Sequence, residues 1–324
     1  MQNLLDPAIL FFVFGMLAGT VKSNLEIPAP ISRFLSLYLL MALGLKGGFA
    51  LAKSGLTTQV ATDLGCAILL AVVVPVIGYQ WLRRFLTGFD AAAVAATYGS
   101  VSAVTFVTAV QALETQQIGY GGHMAAAMAL MESPAIILAV VLANALRRKA
   151  TVPVEGRAAA PLGKVLHESL TDGAQLLLLG AMAVGLLTGD AGKAAMQPFS
   201  GDLFKGMLAF FLLDMGLLTA RNLPGLRGTS AWLIAYSVAG PLVHAGMALA
   251  LAVMTGMSMG NGVLLMVLAA SASYIAVPAV VRHAIPEANP TLYFGMSLGL
   301  TFPLNILLGI PLYIAVAGRV LVPG

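Results

Sequence analysis

Apolar runs of helix-spanning length follow one another through this chain, and two of them are broken by the same short polar motif. In a bilayer core every backbone amide and carbonyl must be paired internally, so these runs are expected to be helices. The period-two alternation of a transmembrane barrel is missing. Charged residues make up 9% of the sequence, where a soluble domain carries about 25%. The expectation is an all-α polytopic protein of the plasma (inner) membrane. The first apolar stretch lacks the basic leader and cleavage site of a signal peptide and reads as the first span. Cys66 is the one cysteine, so no intrachain disulfide is possible, and it reads as apolar filler. A net charge of +4 points neither to nucleic acid nor to a polybasic membrane tail.

Ten spans are expected, at roughly 7–22, 31–52, 62–82, 90–112, 122–147, 172–189, 203–220, 229–253, 261–283 and 290–317. Loops after odd-numbered spans carry Lys22, Arg33, Arg83, Arg84, Arg147, Arg148, Lys149, Arg157, Lys164, Arg221, Arg227 and Arg282. The other side carries only Lys53, Lys193, Lys205 and Arg319. Positive charge marks the cytoplasmic side, which places both termini outside and the 148–168 connector inside. That connector is either a docking element for a soluble partner or a plain linker.

The chain also reads as a duplication. Met16 and Gly19 match Met182 and Gly185, Leu43-Gly44-Leu45 matches Met215-Gly216-Leu217, Pro75 matches Pro241, and Pro134 matches Pro303. The offsets stay between 166 and 172 residues. The expected division is a first five-helix repeat at 1–149, the connector at 150–171 and a second repeat at 172–324. Five spans per repeat is an odd number, so the second repeat enters the membrane inverted. Inverted repeats supply two related states, one open to each face, as alternating access requires. Transport is therefore favoured over a channel or a membrane enzyme.

The doubled motif sits in the fourth and ninth spans. Tyr98-Gly99-Ser100-Val101-Ser102-Ala103-Val104 precedes Ala269-Ala270-Ser271-Ala272-Ser273-Tyr274-Ile275 by 171 residues. The first break is expected at Tyr98 to Val101, between half-helices at 91–97 and 102–113, with Gly99 easing an unwound backbone. Ser100 or Ser102 can cap the helix that follows, as can Ser271 or Ser273 in the second copy. Ala270 stands where the first copy has Gly99, and Pro278 suggests a bend. A helix N-terminus offers unpaired amides to a small anion, and the preceding C-terminal end offers carbonyls to Na⁺. Tyr98, Gly99, Ser100, Ser102, Ala270, Ser271 and Ser273 are the candidate anion site. The competing reading is helix packing, with hydroxyls bonded back to the preceding turn.

Glu132 lies deep in the fifth span, where an ionised carboxylate needs a cation, a hydrogen-bond network or water. With Thr105, Thr301 and Asn305 it forms the candidate Na⁺ site, although Thr301 and Asn305 could equally lock helices together. Lys46 and Asp214 occupy equivalent spans and read as an ion pair or a coupling pair. The four histidines lack metal-ligand spacing, and there is no phosphate loop.

Tyr98-Gly99-Ser100-Val101-Ser102-Ala103-Val104-Thr105-Phe106, Gly122-His123-Met124 and Met131-Glu132-Ser133-Pro134-Ala135-Ile136 resemble the cyanobacterial sodium-dependent bicarbonate transporter family (SbtA). The similarity runs over nearly the whole chain. It implies Na⁺-driven uptake of bicarbonate, a homotrimer, and core and gate domains that move relative to one another. Na⁺ would be the coupling ion, with no organic cofactor. Bicarbonate would lie between the broken helices, with Ser100, Ser102 and the second-copy serines as matching candidates. The resemblance also implies inhibition by a PII-like, adenine-nucleotide-sensing regulator (SbtB-like). The residues agree on the chemistry, because hydroxyls and amides can hold a planar monoanion without an arginine, and none lies in the proposed chamber. Another small monoanion as cargo and a non-transporting membrane sensor are the alternatives.

Overall fold

The computed structural model describes residues 5–55, 57–149, 163, 167, 171–226 and 228–322. Most of the 150–171 connector, whether docking element or plain linker, lies outside the described residues, as does Arg227. The described chain is helical: α1 Pro7–Thr20, α2 Ala29–Ser54, α3 Thr58–Leu82, α4 Gly88–Gly99, α5 Ala103–Thr115 and α6 Met124–Lys149. Then come α7 Gly173–Met196, α8 Phe204–Asn222, α9 Ala231–Thr255, α10 Met259–Ala270, α11 Ala276–Ala284 and a last stretch, α12, Pro290–Val320. Helices cover every expected span. Among the described residues, seven helical stretches are long and apolar enough to cross a membrane, and Pro7–Thr20 and Met259–Ala270 are shorter apolar helices.

Local chemistry sets many of the ends. The Asp6 carboxylate accepts the Ala8 amide at 2.9 Å, with Pro7 at the first helical position. Thr57 and Asp172 cap α3 and α7 in the same way. Gly256 closes α9 in the left-handed region at φ 67°. Around Pro303, α12 widens into π-turns at Gly295–Thr301 and Asn305–Gly309, the kind of irregularity a proline-bearing helix adopts when its ladder is interrupted.

Two groups of helices can be told apart by their packing. α1 packs chiefly on α8, and α2 chiefly on α7. Both seams run on small residues: Gly15 and Gly19 face Leu213 to Ala220, while Gly44 and Gly48 face Leu178 to Gly185. In lipid the hydrophobic effect does not hold helices together, so close backbone approach through glycine supplies the attraction. The second group surrounds the broken helices, with α4 and α10 almost wholly buried. α3 and α9 flank them and turn Ile68, Val72, Ile77, Trp232, Val243 and Met254 outward, as a lipid-facing surface requires.

Candidate functional site: the crossing of two broken helices

The first break is shorter and later than its sequence suggests. Tyr98 and Gly99 are still in the last turn of α4, and only Ser100 to Ser102 leave the helix. Gly99 has no positive φ. A glycine is needed there for proximity: a Cβ would stand 2.5–2.7 Å from three ring carbons of Pro75 in α3. Ser102 then caps α5, its Oγ accepting the Thr105 amide at 3.3 Å and the Thr105 hydroxyl at 2.9 Å. The second break runs from Ser271 to Ile275. Ser273 caps α11 by accepting the Val277 amide at 3.2 Å. Pro278 falls in the first turn of α11, where its missing amide costs nothing, so it does not produce the expected bend.

The two breaks are tied to each other. The Ser102 amide donates to Ser271 Oγ at 3.0 Å, and Ser271 Oγ donates to the Leu268 carbonyl at 2.9 Å. In the other direction, the Ser273 amide donates to the Thr97 carbonyl at 2.8 Å. Each break thus satisfies part of the other's freed backbone, which is how an interrupted helix is tolerated at membrane depth. The first-turn amides of Ala103, Val104 and Ala276 find no protein partner among the described residues.

Ala103, Val104 and Ala276 are among the residues lining a cavity of about 190 Å³. Ser102, Ala103 and Val104 line one side, Ser273 to Ala276 another, and Glu132 and Gln175 a third. Two helix N-termini therefore converge on one space, each contributing amides, a serine and the positive end of its dipole. Glu132 stands beside them, accepting a hydrogen bond from Gln175 Nε2 at 2.8 Å. A carboxylate there would repel an anion unless a cation accompanied it.

The other candidates fall at differing distances from this space. Ser100, Thr105, Thr301 and Asn305 do not line the cavity. Ser100 Oγ is buried without a partner among the described residues. Tyr98 packs edge-on against Tyr236 and shares a 2.7 Å hydrogen bond with Thr301. Thr301 donates to the Ser237 carbonyl at 2.9 Å, the group that Pro241, lacking an amide, leaves free four residues on. Asn305 donates to the Ala270 carbonyl at 2.8 Å and accepts from Tyr313 at 3.0 Å. Thr301 and Asn305 therefore bond to carbonyls of interrupted helices, and neither lines the cavity that Glu132 lines. Among the described residues, no three His, Cys, Asp or Glu side chains converge as metal ligands.

Lys46 and Asp214 do not pair with each other. Lys46 Nζ sits 3.0 Å from both Glu114 oxygens and 4.0 Å from the centre of the Phe204 ring. Asp214 instead accepts from the Ser32 hydroxyl. Equivalent positions in two repeats need not meet, and Glu114, at the end of α5, carries no local pattern announcing its partner. Tyr120, in the α5–α6 loop, donates to Glu114 at 3.0 Å, and burial and that carboxylate raise its phenol, which keeps the proton. Nearby, Asp63 is wholly buried and accepts from Gln59 and Asn261 and pairs with His123 at 2.8 Å, joining α3, the α5–α6 loop and α10. Gln175 and Tyr274 are cavity residues that the sequence reading passed over. Tyr274 was visible as the bulky residue in a break where the first copy has Ala103.

A family model described as the Na⁺-dependent bicarbonate transporter superfamily matches residues 7–318. No curated protein matches the chain.

Proposed function

The chain belongs to the Na⁺-dependent bicarbonate transporter superfamily, and we propose that it imports bicarbonate with Na⁺ by alternating access, holding the anion between the facing N-termini of α5 and α11. As a member of a transporter family it is a carrier and not an enzyme. The observation that carries the proposal is the convergence of Ser102, Ser273 and the free amides of Ala103, Val104 and Ala276 on one cavity. A planar monoanion can accept from such donors without an arginine, whereas a dicarboxylate would leave a second charge to weak donors.

The packing supports two inverted repeats, 1–149 and 172–324, and ten crossings. Gly15 and Gly19 of α1 correspond to Ala181 and Gly185 of α7, and Gly44 and Gly48 of α2 correspond to Gly216 and Ala220 of α8. The seams α1–α8 and α2–α7 are then one interface written twice, as a two-fold axis in the membrane plane requires. In this reading α1, α2, α7 and α8 are the gate and the helices around the crossing are the core. Both termini lie outside. The end holding Arg147, paired with Glu287 at 2.7 Å, and Asp90, bonded to the Asn289 amide at 2.7 Å, is cytoplasmic. A homotrimer and a PII-like cytoplasmic regulator belong to this reading on the resemblance alone.

Glu132 is the proposed Na⁺ ligand because, of the two carboxylates lining the anion space, Asp172 is occupied in capping α7 while Glu132 lies deep within its span, with carbonyls of the broken helices as further oxygen donors. In proteoliposomes, Glu132→Gln is expected to raise the Na⁺ concentration for half-maximal uptake by about tenfold or more, the loss of at least about 1.4 kcal/mol of binding. Unchanged Na⁺ dependence in a folded variant would reject that ligand. Because no arginine lines the cavity among the described residues, another small monoanion is the second reading. A competition panel against labelled bicarbonate decides between them.

A further inference from the structure

We infer that Tyr274 is a door in the wall of the anion cavity and sets the size of monoanion admitted, an inference that rests on reading that cavity as the anion site. A second cavity, of about 690 Å³, lies at the Arg282 end of the molecule and is bounded by Ser32, Met215, Arg282 and Tyr293. Tyr274, Ile275 and Ala279 line both cavities and so form the partition between them. Of the three, Ala279 is small and Ile275 is 56% exposed, whereas Tyr274 is 4% exposed and is the largest. Its ring lies edge-on to Phe302 with centroids 5.1 Å apart, and its hydroxyl donates to Met215 Sδ at 3.6 Å.

Each contact suits a part that moves. A thioether sulfur is a weak acceptor and the other polar group beside the phenol is the Ser102 hydroxyl on the cavity wall, so Met215 aims the ring without locking it. Met215 belongs to α8, in the other group of helices, so relative movement of the two groups withdraws the acceptor. Tyr274 also lies in a non-helical segment, whose backbone is free of a helical ladder. At the equivalent position of the first break stands Ala103, which cannot obstruct anything. The partition is thus one-sided, between the anion space and the cavity that Arg282 lines.

The test is Na⁺-driven uptake of labelled bicarbonate by the full chain in proteoliposomes, competed by formate, acetate and propionate. Truncating the door removes a steric limit, and one methylene changes selection in a fitted pocket by about tenfold or more. Tyr274→Ala is expected to lower the propionate inhibition constant by that factor relative to formate. Tyr274→Phe keeps the bulk and is expected to keep the size profile, changing maximal rate instead. Should the alanine variant fail to fold, Tyr274→Leu serves, with an intermediate shift expected. An unchanged profile in the truncated variant, or an equal shift in Tyr274→Phe, overturns the door. Wild-type protein in the same vesicles separates the two failures: no Na⁺-driven bicarbonate uptake there overturns the transport reading, and the door with it.

Discussion

Gly99→Ala is expected to abolish most uptake while leaving the protein folded in the membrane. The added Cβ would lie 2.5, 2.6 and 2.7 Å from the Cβ, Cγ and Cδ of Pro75. A pyrrolidine ring cannot swing aside as a long side chain can, and Pro75 is itself fixed within α3. The strain is relieved only if the last turn of α4 moves away. Ser100 to Ser102 begin at the next residue, so that movement pulls the Ser102 amide off Ser271 and the Thr97 carbonyl off Ser273. Overpacking of this kind costs about 1–3 kcal/mol, roughly a 5- to 150-fold loss when it falls on the binding geometry. Initial uptake rate per folded protein is the measurement. Gly65→Ala is the control, because a Cβ there meets nothing within 4 Å, and it is expected to transport normally.

Ser271→Ala should have the second-largest effect, chiefly on apparent affinity. Its Oγ is the acceptor of the Ser102 amide, and its residue is fully buried. Alanine leaves that amide without a partner, which costs about 1–3 kcal/mol. It also cuts one of the two links holding the breaks in register. The expected result is a rise of about tenfold or more in KM for bicarbonate. Ser271→Thr, which keeps a hydroxyl, should recover part of it. Ser100→Ala is the informative contrast. That hydroxyl has no partner among the described residues and stands off the cavity wall, so its loss should matter far less. Equal damage from Ser100→Ala and Ser271→Ala would contradict the roles given to both.

The parts of this account that rest on local chemistry could be read in the sequence. Serine ahead of a helix is a capping signal, and Ser102 and Ser273 do cap. Apolar runs of spanning length announced the helices. What could not be read depends on which segments meet. Gly99 looked like a conformational requirement because nothing in its neighbourhood mentions Pro75, a residue 24 positions away. Thr301 and Asn305 were open to a cation role or a helix-locking one, and nothing near them in the chain names the carbonyls in α9 and α10 that they bond. Lys46 and Asp214 were matched by repeat position, whereas pairing follows three-dimensional proximity and gave Lys46 to Glu114. Glu132 and Thr301 lie 169 residues apart, two residues before Pro134 and Pro303. Thr301 bonds to the Ser237 carbonyl, whereas Glu132 lines the cavity.

The central claim is that a Na⁺ gradient drives bicarbonate through the crossing of the broken helices. Purified protein reconstituted in vesicles, given an inward Na⁺ gradient and labelled bicarbonate at a pH where that species dominates, tests it most directly. The account predicts concentrative uptake with Na⁺, loss of it when choline replaces Na⁺, and loss of it in Gly99→Ala but not in Gly65→Ala. Uptake that proceeds equally in choline, or that survives intact in Gly99→Ala, would contradict it.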